Sequence, residues 1–323
     1  MAKPLIYCGR ATHKLGTAVV RELRNSLGDL DVELFADEEL WFRVEDFEEV
    51  PGRDVFIIQS TPKYAPTSYF DMWGIMDAVR RQNPRRLVVV MPYMGFSRQE
   101  KDLFGGEAVM ADLMARFIVT AGADEVILCD PHAGIIKQFF SLPEHLCRKF
   151  SIDSSIPHTI PVQVIDANPL FQRVLQERSL TNYVVVTPDA GGKDVANRLA
   201  RSLDLPLVIA HKHRPGPDEA KSEGVEGDVR GKKAVIREDI ISTAGTIIAT
   251  VRELMKAGAS EVIILATHGV LAGGAVQKLK REEAITEVWI TDSIYLPWEK
   301  RIDKIKIVSL APAIAKIIQK MAA

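Results

Sequence analysis

The chain has 323 residues, a formal net charge of −2 and 47% hydrophobic residues. That near-neutral balance argues against a general nucleic-acid binder, which carries a basic stripe. No apolar run approaches the roughly 18 residues of a membrane-spanning helix. The three cysteines, Cys8, Cys129 and Cys147, fit neither a disulfide framework nor a metal-ligand spacing, which points to a reducing, cytoplasmic setting. The opening Met-Ala-Lys-Pro-Leu-Ile-Tyr-Cys is too short in apolar length for a signal peptide. At roughly 100–200 residues per domain, the length sets an expectation of two domains.

In chain order, Leu5 to Cys8 reads as a short strand, and Thr12 to Leu27 as a helix with apolar residues three and four apart. Val32 to Val44 reads as a strand pair interrupted by an acidic turn. Asp54 to Gln59 is a strand, Tyr64 to Arg81 a helix and Arg86 to Met91 a buried strand. A charged loop from Gly95 to Gly106 leads to a helix from Glu107 to Thr120, then to the strand Glu125 to Cys129. Alternation of this kind predicts βαβ units and a mainly parallel sheet.

The second half alternates again. Tyr183 to Val186 is a strand, Lys193 to Leu203 a helix and Leu207 to Ala210 a strand. Gly216 to Lys233 is polar and without an apolar period. Val235-Ile-Arg-Glu-Asp-Ile-Ile-Ser-Thr-Ala-Gly-Thr246 reads as a buried strand, an acidic pair at its end, a small-residue turn and then a helix from Ile247 to Met255. Val262 to Ala266 and Val288 to Thr291 are further strands, and a helix from about Pro312 to Met321 closes the chain.

An internal repeat organises these elements. Ala121-Gly-Ala-Asp-Glu-Val-Ile-Leu-Cys-Asp-Pro-His132 aligns with Ala257-Gly-Ala-Ser-Glu-Val-Ile-Ile-Leu-Ala-Thr-His268 at an offset of 136, with roughly half the positions identical. A duplicated α/β domain with a boundary near residue 150 accounts for it; a common helix-to-strand turn used twice is the alternative.

The strongest chemical signal is Glu238-Asp239 followed by Ser242, Thr243, Ala244, Gly245 and Thr246. Free N–H groups of a turn and helix N-terminus hold a phosphate, with hydroxyls adding donors. The adjacent carboxylates suit sugar hydroxyls or a metal ion; a solvated strand end with a capping turn is the plain reading. Asp189-Ala190-Gly191-Gly192 forms a second strand-to-helix turn, whose glycines let backbone N–H groups approach a diphosphate; a common N-cap Asp followed by glycines is the alternative. Lys212 and Arg214 lie before the long polar segment, where cations suit charge developing on a transferred phosphoryl group; a solvated hairpin is the alternative. His132 follows a strand and is either structural or a metal or phosphate ligand. Arg98, Gln99 and the Phe35, Asp37, Glu39 turn offer stacking, acidic and cationic groups for a nucleotide, or are ordinary surface loops. No Gly-x-x-x-x-Gly-Lys-[Ser/Thr] or Gly-x-Gly-x-x-Gly occurs.

Taken in order, Phe35-Ala-Asp-Glu-Glu39, Ile57-Ile-Gln-Ser60, Pro92-Tyr-Met-Gly-Phe-Ser-Arg-Gln99, Asp130-Pro-His-Ala133, Pro188-Asp-Ala-Gly-Gly192, His211-Lys-His-Arg-Pro215, Gly227-Asp-Val229 and Val235 to Thr246 resemble the ribose-phosphate diphosphokinase (phosphoribosyl pyrophosphate synthetase) family. The resemblance runs almost end to end, from Gly9 to the last helix. It implies two tandem phosphoribosyltransferase-like α/β domains, each a mainly parallel sheet flanked by helices, over 1–150 and 151–323, with the last helix packing back on the first.

It further implies transfer of the diphosphoryl group of ATP to the 1-hydroxyl of ribose 5-phosphate, with Mg²⁺, in the cytoplasm. On that footing Glu238 and Asp239 hold ribose hydroxyls, Ser242 to Thr246 the 5-phosphate, and Asp189 to Gly192 the diphosphate. His132 and Asp189 place Mg²⁺, while Lys212 and Arg214 close over the reaction. Arg98 and Gln99 bind ATP, and Phe35, Asp37 and Glu39 hold adenine from a neighbouring subunit of a homo-oligomer. A phosphoribosyltransferase and a non-catalytic paralogue remain the alternatives. The chain departs from the family at Glu238, usually Asp, and at Ala244, usually Gly. The Ala244 methyl then requires a negative φ.

Overall fold

The computed structural model describes residues 3–62, 65–149, 159–189, 191–210 and 224–322. Its contacts divide the chain into two units, Met1–Ile165 with Ser293–Tyr295 and Leu310–Ala323, and Asp166–Asp292 with Leu296–Ser309. The division falls at Ile165 rather than near residue 150, because the segment just before it hydrogen-bonds into the first sheet.

The first unit runs β1 (Leu5–Cys8), α1 (His13–Glu22), β2 (Leu30–Leu34), β3 (Leu40–Val44), β4 (Asp54–Ile58), α2 (Ala65–Arg80), β5 (Arg86–Met91), α3 (Met110–Thr120), β6 (Glu125–Cys129), α4 (Glu144–Lys149) and β7 (Val162–Ile165). Five of these strands form a parallel sheet in the order β1-β4-β5-β6-β7. The runs Val55–Ile58 and Leu87–Met91 are buried throughout, as a parallel sheet covered on both faces demands. Strands β2 and β3 stand apart as an antiparallel hairpin, with Phe42 seated where Gly74 of α2 leaves no side chain. Helix α1 stops earlier than its pattern predicts, since Arg24 turns left-handed at φ 49°.

The second unit runs α5 (Asn168–Gln176), β8 (Tyr183–Thr187), α6 (Lys193–Leu203), β9 (Leu207–Ala210), β10 (Val225–Glu226), β11 (Lys233–Ile241), α7 (Gly245–Lys256), β12 (Glu261–Gly269), α8 (Ala275–Arg281), β13 (Ile285–Thr291) and β14 (Ile305–Val308). Its sheet has the order β10-β9-β8-β11-β12-β13-β14, with only β10 antiparallel among the described strands. The closing helix α9 (Ala311–Ala322) belongs to the first unit.

The sequence repeat has a structural counterpart. Helix α3 leads to β6 through Gly122 at φ 93°, and α7 leads to β12 through Gly258 at φ 94°. In both turns the next alanine is buried and its N–H reaches back to the last helical turn, Ala123 to Ile118 and Ala259 to Leu254. Only glycine takes that left-handed turn without cost. The β5-α3-β6 unit therefore matches β11-α7-β12.

Candidate active site

Strand order decides where a ligand binds in the second unit. From β8 the chain passes through α6 to β9 on one side; from β11 it passes through α7 to β12 on the other. The sheet reverses its winding between β8 and β11, and open α/β sheets bind ligands outside the strand ends at such a point. Pairing of β8 with β11 ends at Val186–Ile236, whereas β11 stays paired with β12 as far as Ile241–Gly269. The acidic pair Glu238-Asp239 thus lies within the strand rather than at its end, on the stretch that β8 has left. The continued β12 ladder is the reason: it carries β11 on to Ile241.

Each of these strands runs into a turn that opens a helix. After β8, Thr187 Oγ1 donates to the Asp189 carbonyl at 2.7 Å, and Asp189 Oδ1 accepts from the Gly192 N–H at 3.0 Å. A Cβ on Gly192 would lie 3.0 Å from Thr187 Oγ1, tighter than ordinary contact. Gly191 would bring its Cβ within 3.2 Å of Asp189 Oδ1. The glycines permit this tight turn, and α6 begins directly after it.

After β11, the Ile241 and Ser242 carbonyls accept from the Leu271 and Ala272 N–H groups, both at 2.9 Å, and Lys278 Nζ reaches the Thr243 carbonyl at 3.0 Å. The turn is thereby pinned from the loop after β12 and from α8. Ala244 adopts φ 60°, ψ 7°, correcting the expectation of a negative φ, and sits as the N-cap of α7 without a side-chain cap. Its methyl is buried in the second core, which holds the left-handed turn in place. Glu238, Asp239 and Ser242 are half-buried, while Thr243, Gly245 and Thr246 are exposed. Two helix N-termini therefore stand at adjacent strand ends, with Asp189 in the turn after β8 and Glu238 and Asp239 on the stretch of β11 beyond its pairing with β8. That arrangement offers donors for phosphate and acceptors for hydroxyls.

Sequence reasoning passed over one residue here. Arg237, inside β11, is 1% exposed and hydrogen-bonds Asn168, Thr267 and the Glu238 carbonyl. A lone arginine between Ile236 and the acidic pair, in an otherwise apolar run, was the available signal.

In the first unit, Arg98 and Gln99 lie in the loop after β5 and His132 in the turn after β6, the strand paired beside it. Arg98, Gln99 and His132 are exposed. The Arg98 turn is firmly built: Phe96 at φ 62° stacks on Tyr69, Tyr69 donates to the Gly95 carbonyl at 2.9 Å, and Gly95 donates to Thr61 Oγ1 at 2.7 Å. Phe35, Asp37 and Glu39 are exposed at the tip of the β2–β3 hairpin, where Phe35 N–H donates to the Glu39 carbonyl at 2.8 Å. A cavity of about 590 Å³ between β3 and α2 is lined by Trp41, Phe42 and Phe47, with no expected site residue among its walls. Ala190, Lys212 and Arg214 lie outside the described residues.

Among the described residues, no group of three or more His, Cys, Asp or Glu is placed to hold a metal on protein ligands alone. The donors present still suit Mg²⁺. Asp189, Glu238 and Asp239 offer hard carboxylate oxygens, and Mg²⁺ is ordinarily held by one or two carboxylates together with substrate phosphates and water. Among the described residues, no helix is long and apolar enough to cross a membrane.

Residues 5–122 match the family model for the N-terminal domain of ribose phosphate pyrophosphokinase, and residues 158–303 match that for the phosphoribosyl transferase domain. A ribose-phosphate pyrophosphokinase of Caldanaerobacter subterraneus subsp. tengcongensis is 36% identical over 317 residues, 98% of this chain and 94% of that one. One from Bacillus caldolyticus is 36% identical over 308 residues, covering 95% and 91%. The crystal structure of phosphoribosylpyrophosphate synthetase from Mycobacterium smegmatis superposes with a TM-score of 0.86 at 32% identity, covering 99% of both chains. Similarity of this extent, reaching through both units, places the chain in the ribose-phosphate pyrophosphokinase family.

Proposed function

We propose that the chain transfers the diphosphoryl group of ATP to the 1-hydroxyl of ribose 5-phosphate, giving 5-phosphoribosyl 1-diphosphate and AMP. The observation that carries this is the pair of phosphate-type turns, after β8 and β11, flanking the winding reversal of the second sheet. A phosphoribosyltransferase needs that unit alone; the family match over 5–122 favours the two-unit reaction.

In this reading the α7 N-terminus, with Ser242, Thr243 and Thr246, binds the 5-phosphate. Glu238 and Asp239 accept hydrogen bonds from the ribose 2- and 3-hydroxyls, fixing the sugar so that its 1-hydroxyl faces the turn after β8. The turn Asp189 to Gly192 then holds the diphosphate through backbone N–H groups. Holding both reactants in line accounts for much of the acceleration in phosphoryl transfer.

Arg98 and Gln99 bind ATP, and Phe35, Asp37 and Glu39 of a second copy complete the adenine pocket, so the active form is a homo-oligomer. Lys212 and Arg214 supply positive charge to the transferring group, whose charge grows in the transition state. Asp189 and His132 would hold Mg²⁺, directly or through water, and the ion would supply charge neutralisation at the phosphate oxygens. The reaction takes place in the cytoplasm.

Phosphorus NMR on the full chain with ATP, Mg²⁺ and ribose 5-phosphate tests the proposal. AMP and a new 1-diphosphate signal are expected above enzyme-free controls, and their absence defeats it. In the same assay Lys212→Ala is expected to lower turnover by about 10²- to 10³-fold, the size of loss seen when one preorganised transition-state donor is removed.

A further inference from the structure

Arg237 is 1% exposed, the largest fully buried side chain among the described residues. Its Nε donates to Asn168 Oδ1 at 2.7 Å and its Nη2 to Thr267 Oγ1 at 2.9 Å. Its Nη1 donates to the carbonyl of Glu238. The guanidinium also lies 4.9 Å from the ring centroid of Phe171 on α5. One side chain therefore ties the strand that carries the acidic pair to the first turn of α5 and to β12.

Stability does not account for this residue. Burying a guanidinium forfeits its hydration, and an apolar side chain of similar volume is usually as good or better for folding. The neighbours Ala234, Val235, Ile236, Ile240 and Ile241 are apolar and buried, so the local environment favours an aliphatic residue. What the arginine adds is geometry. Its grip on the Glu238 carbonyl fixes the peptide plane between Glu238 and Asp239, and so the directions in which both carboxylates leave the strand. Strand alternation puts Asp239 on the face of Arg237 and Glu238 on the other. A buried positive charge next in sequence to two adjacent carboxylates also offsets their mutual repulsion.

The geometry points to Arg237 as a positioning residue that holds Glu238 and Asp239 in register for the sugar hydroxyls, and so sets the affinity for ribose 5-phosphate. This rests on the reading that Glu238 and Asp239 bind those hydroxyls. Its effect belongs to the sugar substrate: Arg237, Asn168 and Thr267 all lie in the second unit, whereas Arg98, Gln99 and the hairpin tip lie in the first.

Steady-state kinetics on the full chain separate the possibilities, varying ribose 5-phosphate and ATP in turn. Arg237→Met is expected to raise KM for ribose 5-phosphate about tenfold or more, the loss of roughly one charge-assisted hydrogen bond. KM for ATP is expected to stay within about twofold, a split that general damage to the fold would not give. Arg237→Lys keeps the charge but not the fork, and is expected to restore part of the loss. Thr267→Val keeps the shape and removes one acceptor, and is expected to shift the same KM in the same direction by a smaller factor.

Glu238→Gln and Asp239→Asn are the reference variants. If they raise KM for ribose 5-phosphate while Arg237→Met leaves it within about twofold, the inference is wrong and the sugar reading stands. If the reference variants leave that KM unchanged, the sugar reading fails and takes the inference with it. Should Arg237→Met not fold, Thr267→Val decides alone: an unchanged KM for ribose 5-phosphate overturns the proposal.

Discussion

Ala244 takes a backbone conformation that favours glycine, at φ 60°, in the turn that opens α7. A left-handed alanine costs roughly 1–2 kcal/mol relative to a right-handed one. Against this, its methyl is 4% exposed and packs in the second core, a burial that contributes about 0.8 kcal/mol. Glycine would relieve the strain but forfeit the methyl and gain freedom in the unfolded chain. These terms nearly cancel, so Ala244→Gly is expected to change unfolding free energy by less than about 1 kcal/mol. Ala244→Val, β-branched in the same conformation, is expected to cost about 2 kcal/mol or more. Urea denaturation measures both. A valine variant as stable as the parent would contradict a left-handed residue at this position.

At the scale of elements, Glu287 joins three pieces of the second unit. Its carboxylate accepts from Arg178 after α5 at 2.7 Å and from Trp289 Nε1 on β13 at 2.6 Å, and pairs with Lys306 on β14 at 3.1 Å. Burial pushes this carboxyl up, but Arg178, Trp289 and Lys306 together pull it down to about 2, from an ordinary 4.5. A carboxyl depressed in the folded state stabilises fully above its unfolded value and loses that contribution as pH falls through the folded value. The window is therefore about pH 4.5 down to about 2. Glu287→Gln is expected to lose about 2 kcal/mol at pH 7, the worth of a charge-assisted hydrogen bond. Its urea midpoint should converge on that of the parent near pH 2. Parallel midpoints across that range would show that the three-way contact contributes nothing.

Which elements were legible in the sequence follows from the same physics. Strands β4, β5, β6 and β8 are continuous apolar runs between turn residues, and helices α2, α6 and α7 carry full apolar stripes, so pattern alone finds them. The four-residue strands β7 and β14 are half-exposed and mix Gln or Lys with Ile and Val, and they exist because a neighbouring strand offers a ladder. Sequence pattern does not report that. Glu238 and Asp239 were legible as a pair because adjacent carboxylates after a buried strand are unusual. Their place within β11 was not, since only the length of β12 decides it. The left-handed Ala244 was hidden because glycine is the residue that ordinarily announces such a turn.

Across the whole molecule, two related sheets differ in winding. The first runs in sequence order, β1-β4-β5-β6-β7, and so has no reversal among its described strands; the second gains one because β9 and β10 lie outside β8. The repeated β-α-β unit thus borders a winding reversal only in the second sheet, where the topology opens a crevice beside its turn. The last residues of the chain add a second asymmetry, since α9 belongs to the first unit. It buries Ile314, Ala315 and Ile318, packs on α1, and receives a 2.8 Å hydrogen bond from Arg86 to the Met321 carbonyl. The same arginine binds Asp54 at 2.8 Å, so the helix is tied to the start of both β4 and β5. The first unit is therefore complete only after the second unit's strands have been made, against the usual order in which the earlier domain folds first. Ile318→Ala is expected to cost about 2–5 kcal/mol, the range for emptying a buried aliphatic site. The loss should appear in hydrogen exchange as faster amides in β4 and β5, while β11 and β12 keep the protection of the parent. Equal loss in both sheets would mean that α9 stabilises the two units as one cooperative body, and the assignment of α9 to the first unit alone would fail.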